Sequence, residues 1–408
     1  MAVATYTYLL VGGGLAGASA CKGIREHDAE GSILLIGSEA HDPYNRPPLT
    51  KDLWTGKKQL DGIFANPKAY YAEQQVELKL DCEIVALDSQ QKIVTDNRGA
   101  QYHYEKLLLA TGGTPRHLEI PGAEMEGICY YRYLDDYLTI RPAAVQGTSA
   151  VVVGGGFIGS EIAAALAMQG VQVTMIFPEP YLVSRVFPAA LGGALTAMYR
   201  QRGITILIGD APTAFEKRGE RFVTHTKQGQ AVESDLLIVG VGITPNVQLA
   251  QMTRLAVANG IVVNELLQAS DPAVYAAGDV AFFPYEVLGQ QMRVEHWDNA
   301  LNQGAYAGRN MAGAAVPYTY MPYFFSDLFD FGYEAVGDVN TKLETFADWE
   351  QENETGVIYY LKDGKLRGVM LCNVWNKVDA ARELIQRGAR VTPESLRGAI
   401  RSKKSEAA

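Results

Sequence analysis

Two glycine-rich segments of the chain have the residue types and spacing needed to bind the pyrophosphate of a dinucleotide. Each follows a short apolar run and leads into a helix-like stretch. In such a loop the first glycine permits a tight turn, the second lets the backbone approach the phosphates, and the third lets the helix pack closely on the strand. The N–H groups and the positive end of the helix dipole then face the ligand. The residues predicted to line the two loops are Gly12, Gly14, Ala16 and Gly17 in the first copy and Gly154, Gly156, Phe157, Ile158 and Gly159 in the second.

The duplication of this fingerprint carries more weight than either copy alone. A single copy could end a strand for structural reasons, because glycine also serves tight turns that bind nothing. Here each copy has an apolar strand before it and a helix of small residues after it, and together they predict two strand–helix–strand units. We therefore expect a protein that holds two dinucleotides and passes electrons between them.

Each fingerprint should be followed, about twenty residues beyond its last glycine, by an acidic residue that binds the adenosine ribose. In the first unit Ser38 and Glu39 follow the second strand. In the second unit Phe177 occupies the expected position, and Glu179 follows after a proline. Surface glutamates are common, so a solvated acid is the alternative at both places. Glu39 and Glu179 are therefore candidates for the two ribose ligands, and the solvated alternative stays open for each.

Three further apolar strands end in glycine turns. In doubly wound folds ligands bind at the carboxyl ends of the strands, so these turns predict cofactor contacts. One strand-Gly-x-x-Pro phrase occurs twice, which indicates an internal duplication of one architecture. The residues concerned are Ala110, Thr111, Gly112 and Arg116 in the first phrase, Gly242 in the second, and Gly278 and Asp279 after the third strand.

The texture of the sequence changes from about residue 318, where aromatic residues become dense. Two strand-like runs are joined by Lys362-Asp363-Gly364-Lys365, a strong hairpin signal. The segment from Val378 to Gly388 is helix-like. We predict an α/β protein with three domains: a discontinuous first domain of residues 5–118 and 248–317, a second of residues 119–247, and a C-terminal α+β domain of residues 318–400.

Composition excludes several function classes. The 408 residues are 48% hydrophobic, and the net charge of −10 argues against nucleic acid and anionic membranes as partners. Four scattered cysteines form neither a disulfide framework nor a metal-ligand spacing, so we expect no metal and a reducing, cytoplasmic location. No apolar run approaches a bilayer-spanning length and no basic leader precedes the first strand, so we expect no membrane span and no signal peptide.

The order of these motifs resembles that of two-dinucleotide flavoprotein reductases of the glutathione-reductase structural class. The run Arg46-Pro47-Pro48-Leu49-Thr50-Lys51 is similar to the Arg-Pro-Pro-Leu-Ser/Thr-Lys motif of oxygenase-coupled ferredoxin reductases and apoptosis-inducing factor. Phe177-Pro178-Glu179 and Val294-Glu295-His296 resemble apoptosis-inducing factor in particular. The resemblance covers nearly the whole chain. It implies two Rossmann-like dinucleotide-binding domains of the glutathione-reductase type, followed by the C-terminal α+β domain.

The resemblance also implies which cofactors are bound and where. FAD would lie in the first domain and NADH in the second, with Asp279 at the FAD ribityl chain. Arg46 and Lys51 would lie near FAD, with Lys51 close to the isoalloxazine. The segment of Glu295, His296 and Trp297 would pass along the flavin ring. Trp297 departs from apoptosis-inducing factor, which usually has His there, and agrees with ferredoxin reductases.

Three residues are candidates for catalytic roles. Lys51 would be the cation that stabilises the reduced flavin, and the alternative is an exposed loop lysine. Glu161, placed on the first turn of the second fingerprint helix, would pair with Lys51 and orient the nicotinamide; the alternative is a first-turn glutamate that answers the helix dipole. His296 would contact the flavin or shuttle a proton, and the alternative is a structural hydrogen-bonding residue.

The first fingerprint lacks the redox cysteines that disulfide reductases carry behind it. Electrons must therefore leave the flavin directly, to a ferredoxin-like carrier, a quinone or oxygen. We expect NADH rather than NADPH, because a carboxylate at Glu179 accepts the 2′-hydroxyl and repels a 2′-phosphate, although Arg185 would weaken that preference.

Two other functions stay open. One is a redox-sensing protein like apoptosis-inducing factor, whose charge-transfer complex with NADH controls oligomerisation or partner binding. This implies a monomer or an NADH-dependent homodimer. The other is a non-catalytic FAD-binding scaffold.

Overall fold

The computed structural model describes residues 3–400, which pack as two compact units. Unit 1 contains the chain up to Asn45 together with Leu60–Thr114 and Thr244–Pro322. Unit 2 contains Arg46–Gln59, Pro115–Ile243 and the chain from Tyr323 onward. The basic segment 401–405, which the sequence predicts to be a solvated tail, lies outside the described residues.

The main sheet of unit 1 is mostly parallel. Its neighbouring strands are, in spatial order, Val76–Lys79, Ile33–Ile36, Ala4–Val11, Gln101–Leu109, Ile93–Asp96 and Ile84–Asp88, and Val274–Ala276 also pairs with Gln101–Leu109. The last two strands of this order are antiparallel to their neighbours. Strand Ile33–Ile36 is buried throughout, as expected of a parallel strand covered on both faces.

Two helices of unit 1, Leu15–Arg25 and Trp297–Met311, cross at very close range. A Cβ at Gly304 would lie 2.2 Å from the carbonyl oxygen of Ala16, and one at Gly308 would lie 2.2 Å from that of Ala20. Only glycine allows this approach, so the two helices are locked in register beside the first fingerprint.

The remaining elements of unit 1 are short. The helical ones are Leu60–Ile63, Tyr70–Glu73, Gln248–Met252, Gly278–Val280 and Glu286–Leu288. A smaller sheet contains Val257–Ala258, Gly260–Val262, Ala281–Tyr285 and Gln290–Met292.

Unit 2 repeats the parallel architecture on a smaller scale. The strand order of its first sheet is Thr205–Ile208, Gln172–Phe177, Ser149–Val153, Leu236–Val239 and Ile128–Tyr130. The accompanying helices are Leu134–Ala143, Phe157–Met168 and Ala189–Gln201. An antiparallel sheet of Pro212–Arg218, Arg221–Thr226 and Ala231–Ser234 packs into the same core through Phe215 and Phe222.

The segment 46–59 is anchored within unit 2. It forms two short helical turns, Pro47–Thr50 and Asp52–Thr55. Tyr131 donates its hydroxyl to the carbonyl of Leu49 at 2.5 Å, and Gln169 donates its amide to the carbonyl of Trp54 at 2.9 Å. Arg46–Gln59 therefore belongs structurally with the second fingerprint.

The C-terminal part of unit 2 is an antiparallel sheet with helices. Its strands are, in spatial order, Tyr323–Leu328, Phe331–Gly337, Lys365–Cys372, Thr355–Lys362 and Glu344–Gln351, and its helices are Val378–Gln386 and Pro393–Leu396. The predicted hairpin turn is present, with positive φ at both Asp363 (54°) and Gly364 (72°). These angles are those of the type I′ turn that suits the twist of a hairpin.

The predicted fold class, two dinucleotide-binding α/β sheets plus a C-terminal α+β region, is confirmed. The chain passes from one unit to the other within two short strands, Gly113–Pro115 and Ile243–Pro245, and also after Asn45, Gln59 and Pro322. The finer division into three domains stays a prediction.

Candidate active site

The first fingerprint has the geometry that its glycines predict. Gly12 follows strand Ala4–Val11 and has a φ of +128°. A Cβ at this position would lie 2.1 Å from the Ala110 carbonyl oxygen, so only glycine fits here. A Cβ at Gly17 would lie 2.2 Å from the Gly12 carbonyl oxygen, so this glycine allows the close packing of helix on turn. Ala16 is buried beneath the loop.

The second fingerprint repeats this geometry at its first and last glycines. Gly154 has a φ of +119° and would place a Cβ 2.4 Å from the Gly240 carbonyl oxygen. A Cβ at Gly159 would lie 2.1 Å from the Gly154 carbonyl oxygen. Phe157 packs edge-on against Phe324, and Ile158 is exposed.

The middle glycines are the ones left open for a ligand. A Cβ built on Gly14 or Gly156 meets no atom of residues 3–400 within 4 Å beyond its chain neighbours. Both residues cap their helices, Leu15–Arg25 and Phe157–Met168, so the first N–H groups of each helix border this space. Both cradles therefore fit a dinucleotide pyrophosphate.

A buried amide in unit 1 adds to this fit. Gln303 is fully buried, and its Oε1 accepts from the Gly278 N–H at 2.8 Å. Its Nε2 has no hydrogen-bond partner among residues 3–400. An unsatisfied buried donor beside the Gly278-Asp279 turn suits a site that receives a polar ligand or water.

The predicted ribose acids both lie just beyond strand ends. Glu39 follows Ile33–Ile36, and its Oε2 accepts from the Tyr44 hydroxyl at 2.6 Å, while Ser38 is exposed. Glu179 follows Gln172–Phe177 and is half-buried. Phe177 is fully buried with its ring against the Cβ position of Gly155, so it packs under the loop. The roles of Ser38, Glu39 and Glu179 stay predictions.

The strand-end phrases are tied down by hydrogen bonds within each unit. In unit 1, Thr111 Oγ1 donates to the Asn246 carbonyl at 2.7 Å, and Asn246 N–H donates to the Gly112 carbonyl at 3.0 Å. In unit 2, the backbone N–H of Arg116 donates to the Gly242 carbonyl at 2.9 Å. The structure thus holds both phrases in defined turns; their cofactor contacts stay predictions.

The segment predicted to pass the flavin begins helix Trp297–Met311. Trp297 Nε1 donates to Asn45 Oδ1 at 2.7 Å. Glu295 pairs with Arg293, whose guanidinium also donates to the Asp279 carbonyl at 3.0 Å. Burial lowers the pKa of His296 to about 4, against the opposing charge of Asp279. His296 is therefore neutral at pH 7.

Lys51 and Glu161 form the expected ion pair, with Nζ 2.6 Å from Oε1. The lysine side chain is only 11% exposed and the glutamate 6%, so the exposed-lysine alternative for Lys51 is wrong. The placement of Glu161 on the first helical turn is also wrong. Helix Phe157–Met168 begins two residues before Gly159, which puts Glu161 at its fifth position, one turn in. The presence of a glutamate at this position is therefore explained by its burial and its ion pair with Lys51, not by the helix dipole.

Two hydroxyl groups complete the surroundings of Glu161. Thr50 Oγ1 donates to Oε2 at 2.5 Å, and Ser326 Oγ donates to Oε1 at 2.5 Å. Neither was predicted from the sequence. The sequence signals for Ser326 are its place in Phe325-Ser326-Asp327-Leu328, a stretch that resembles apoptosis-inducing factor, and its small polar side chain in an aromatic strand.

Arg46 is held inside unit 2. It donates to the Arg132 carbonyl at 3.0 Å, and its guanidinium lies over the Tyr133 ring, 5.2 Å from the centroid. Its predicted contact with FAD is not tested by these interactions.

The cysteines are unsuited to redox relay. All four lie within residues 3–400 as buried free thiols, at positions 21, 82, 129 and 372. Burial raises the pKa of every one of them, that of Cys21 to about 12. The reactive thiolate form is therefore disfavoured. Within the same residues, no cluster of three or more His, Cys, Asp or Glu side chains could hold a metal ion.

Comparison with known proteins identifies the family. Residues 6–304 match the model of the pyridine nucleotide-disulphide oxidoreductases. The chain belongs to this family. Residues 307–355 and 347–387 match the C-terminal region of mitochondrion-associated apoptosis-inducing factor. The predicted resemblance and enzyme class are thereby confirmed: the chain is an FAD-dependent NAD(P)H oxidoreductase.

Individual relatives match over most of this chain and over most of their own length. Apoptosis-inducing factor 1 of Dictyostelium discoideum is 35% identical, over 93% of this chain and 78% of its own. The ferredoxin–NAD(+) reductase component of the anthranilate 1,2-dioxygenase system of Burkholderia cepacia is 32% identical, over 95% and 96%. The solved covalent complex of putidaredoxin reductase with putidaredoxin matches with a TM-score of 0.90 and 28% identity, over 96% of this chain and 95% of that one. No helix in the described part of this oxidoreductase is long and apolar enough to cross a membrane.

Proposed function

We propose that the chain takes electrons from NADH and delivers them to a small one-electron carrier of the ferredoxin type. The observation that carries this proposal is the pair of matching glycine cradles, each open at its middle glycine. The carrier is supported by the relatives that act on, or are bound to, such proteins. The buried, high-pKa cysteines support direct electron exit without a thiol relay.

Each glycine cradle would bind one of the two cofactors. The first cradle would hold the FAD pyrophosphate and the second that of NADH, with Glu39 and Glu179 at the adenosine riboses. When bound, the two cofactors supply the hydride chemistry. In unit 2 the Lys51–Glu161 pair provides a fixed charge arrangement that orients the nicotinamide. The neutral ring of His296 offers hydrogen bonding rather than positive charge.

NADH is proposed over NADPH because a carboxylate follows the second strand. Glu179 would accept the ribose 2′-hydroxyl and repel a 2′-phosphate. Arg185, six residues after Glu179, is the residue that would weaken this preference. It is exposed, and its backbone carbonyl oxygen accepts from the Thr341 N–H at 3.0 Å.

Anaerobic mixing tests the proposal. NADH should bleach the flavin absorbance within seconds, NADPH should do so more slowly, and an added ferredoxin should restore the oxidised spectrum. A flavin that NADH leaves unbleached would contradict the donor half of the proposal. Reoxidation by oxygen or a quinone but by no ferredoxin would contradict the carrier half.

The match of residues 307–387 to the C-terminal region of apoptosis-inducing factor supports a second candidate. In that case the chain would be a redox sensor that changes from monomer to homodimer with NADH. A persistent long-wavelength absorbance band together with an NADH-dependent increase in molecular mass would favour this function.

A further inference from the structure

The carboxylate of Glu161 receives three donors, which come from two separate chain segments. Lys51 and Thr50 come from segment 46–59, and Ser326 comes from strand Tyr323–Leu328. Oε1 accepts from Lys51 Nζ and Ser326 Oγ, and Oε2 accepts from Thr50 Oγ1, all within 2.6 Å. All four residues lie in unit 2.

The burial of these donors makes the arrangement rigid. Thr50 is 5% exposed, Ser326 2% and Glu161 6%, so water cannot easily replace either hydroxyl. A hydrogen bond to a buried charge is stronger than one between neutral groups, and its loss leaves an acceptor unsatisfied. The two hydroxyls bond to opposite oxygens and so fix the rotation of the carboxylate plane.

The orientation of Lys51 depends on that carboxylate. The Lys51 ammonium is a compact charge at the end of a flexible side chain. Its position is therefore set by the carboxylate oxygen that it contacts. Lys51 Nζ also lies 5.4 Å from the centroid of the Phe325 ring, and the Asp327 carboxylate interacts with it electrostatically. Phe325 precedes Ser326, so one strand places both a ring beside the ammonium and a hydroxyl on its partner.

We propose that Ser326 and Thr50 are positioning residues that fix the Glu161 carboxylate, and through it the Lys51 ammonium, for the nicotinamide nucleotide. This rests on the proposed function. The C-terminal sheet thus contributes a residue to the action of the second dinucleotide cradle. The hydroxyls act on orientation, so they should affect the rate at saturating NADH more than NADH affinity.

Single hydroxyl deletions in the FAD-loaded enzyme test this proposal. Ser326→Ala and the isosteric Thr50→Val should each lower the limiting rate of flavin bleaching by NADH about tenfold, the usual effect of losing a hydrogen bond to a charged group. The apparent Kd for NADH should change by less than about threefold. Thr50→Ser, which keeps the hydroxyl, should restore most of the rate.

Ser234→Ala is the matched control. Ser234 is also fully buried in unit 2, and its hydroxyl has no hydrogen-bond partner among residues 3–400. It should leave the limiting rate unchanged. In a Glu161→Gln background, Ser326→Ala should add little further loss, because the hydroxyl acts through the carboxylate.

A crystal structure of the Ser326→Ala variant gives a readout independent of activity. The Lys51 Nζ to Glu161 Oε1 distance should lengthen from 2.6 Å or the carboxylate should rotate. A wild-type rate in both deletion variants, or an equal loss from Ser326→Ala with and without Glu161, would overturn the proposal while the proposed function stands. A wild-type enzyme that NADH fails to bleach would overturn both.

Discussion

The two fingerprints share a backbone but differ in what their helices carry. Two residues past the last glycine, the first helix has the small buried Ser19, and the second has the buried Glu161. The first helix packs on another helix through glycines, whereas the second is surrounded by ionic and hydroxyl donors. Under the proposed function the same cradle would serve two tasks: one copy would hold a ligand in place, and the other would also arrange charge beside its ligand.

The largest expected effect comes from filling the open space at each middle glycine. Gly14 and Gly156 have negative φ, −87° and −83°, so valine is tolerated by the backbone and its side chain enters the ligand space. Gly156→Val should weaken NADH binding about 100-fold or more, a cost of about 3 kcal/mol, and leave the flavin bound. Gly14→Val should yield protein with little FAD.

Flavin content after purification and NADH titration of the flavin spectrum measure these effects. Circular dichroism serves as the folding control for both variants. If Gly156→Val lost flavin while Gly14→Val kept it, the assignment of the two cradles would be reversed.

The next effect concerns the charge that distinguishes the second helix. Glu161→Gln leaves the nearly buried Lys51 without its counter-ion, which should reduce the free energy of unfolding by about 3 kcal/mol. It should also slow flavin bleaching by NADH about 100-fold. Ser19→Ala, at the matching position of the first helix, should change neither quantity appreciably.

Urea unfolding and stopped-flow absorbance measure the two outcomes. A variant as stable and as fast as the wild type would mean that the ion pair is incidental.

The features of the two fingerprints that depend on local backbone conformation could be predicted from the sequence. A positive φ, a tight turn and a helix start act on neighbouring residues, so Gly12, Gly154 and the Asp363-Gly364 turn could be predicted from spacing alone. The pairing of Lys51 with Glu161 was predicted as well. Lys51 lies in the Arg-Pro-Pro-Leu-Thr-Lys motif and Glu161 lies in the helix of the second fingerprint, so both were candidates for the same site.

The supporting hydroxyls could not be found in this way. Ser326 and Glu161 are 165 residues apart, and neither helical nor strand periodicity relates them. The packing of helix Leu15–Arg25 on Trp297–Met311 through Gly304 and Gly308 was missed for the same reason. Such contacts depend on tertiary packing, which overrides local patterns.

A smaller effect should separate the two acids that are proposed to bind the riboses. Glu179→Gln removes the charge that would repel a 2′-phosphate, so the ratio of NADPH to NADH bleaching rates should rise about tenfold, close to 1.4 kcal/mol. Glu39→Gln, at the first cradle, should leave this ratio unchanged and affect FAD retention instead. Parallel stopped-flow titrations with both nucleotides measure the ratio, and an unchanged ratio for Glu179→Gln would place nucleotide selection elsewhere.

The smallest effect sharpens the contrast between an ion pair in unit 2 and a neutral group in unit 1. His296 has a pKa of about 4 in the fold against an ordinary value of 6.5. Between these values the unfolded chain binds a proton that the folded chain does not, so stability falls as pH drops from 6.5 toward 4. His296→Asn removes this contribution, and its urea midpoint should fall less steeply than that of the wild type over this window. The rest of the chain is the same in both proteins, so the comparison isolates the change at His296. Parallel curves would mean that the pKa of His296 is not lowered in the fold, so that unit 1 does not hold a permanently neutral group in contrast to the ion pair of unit 2.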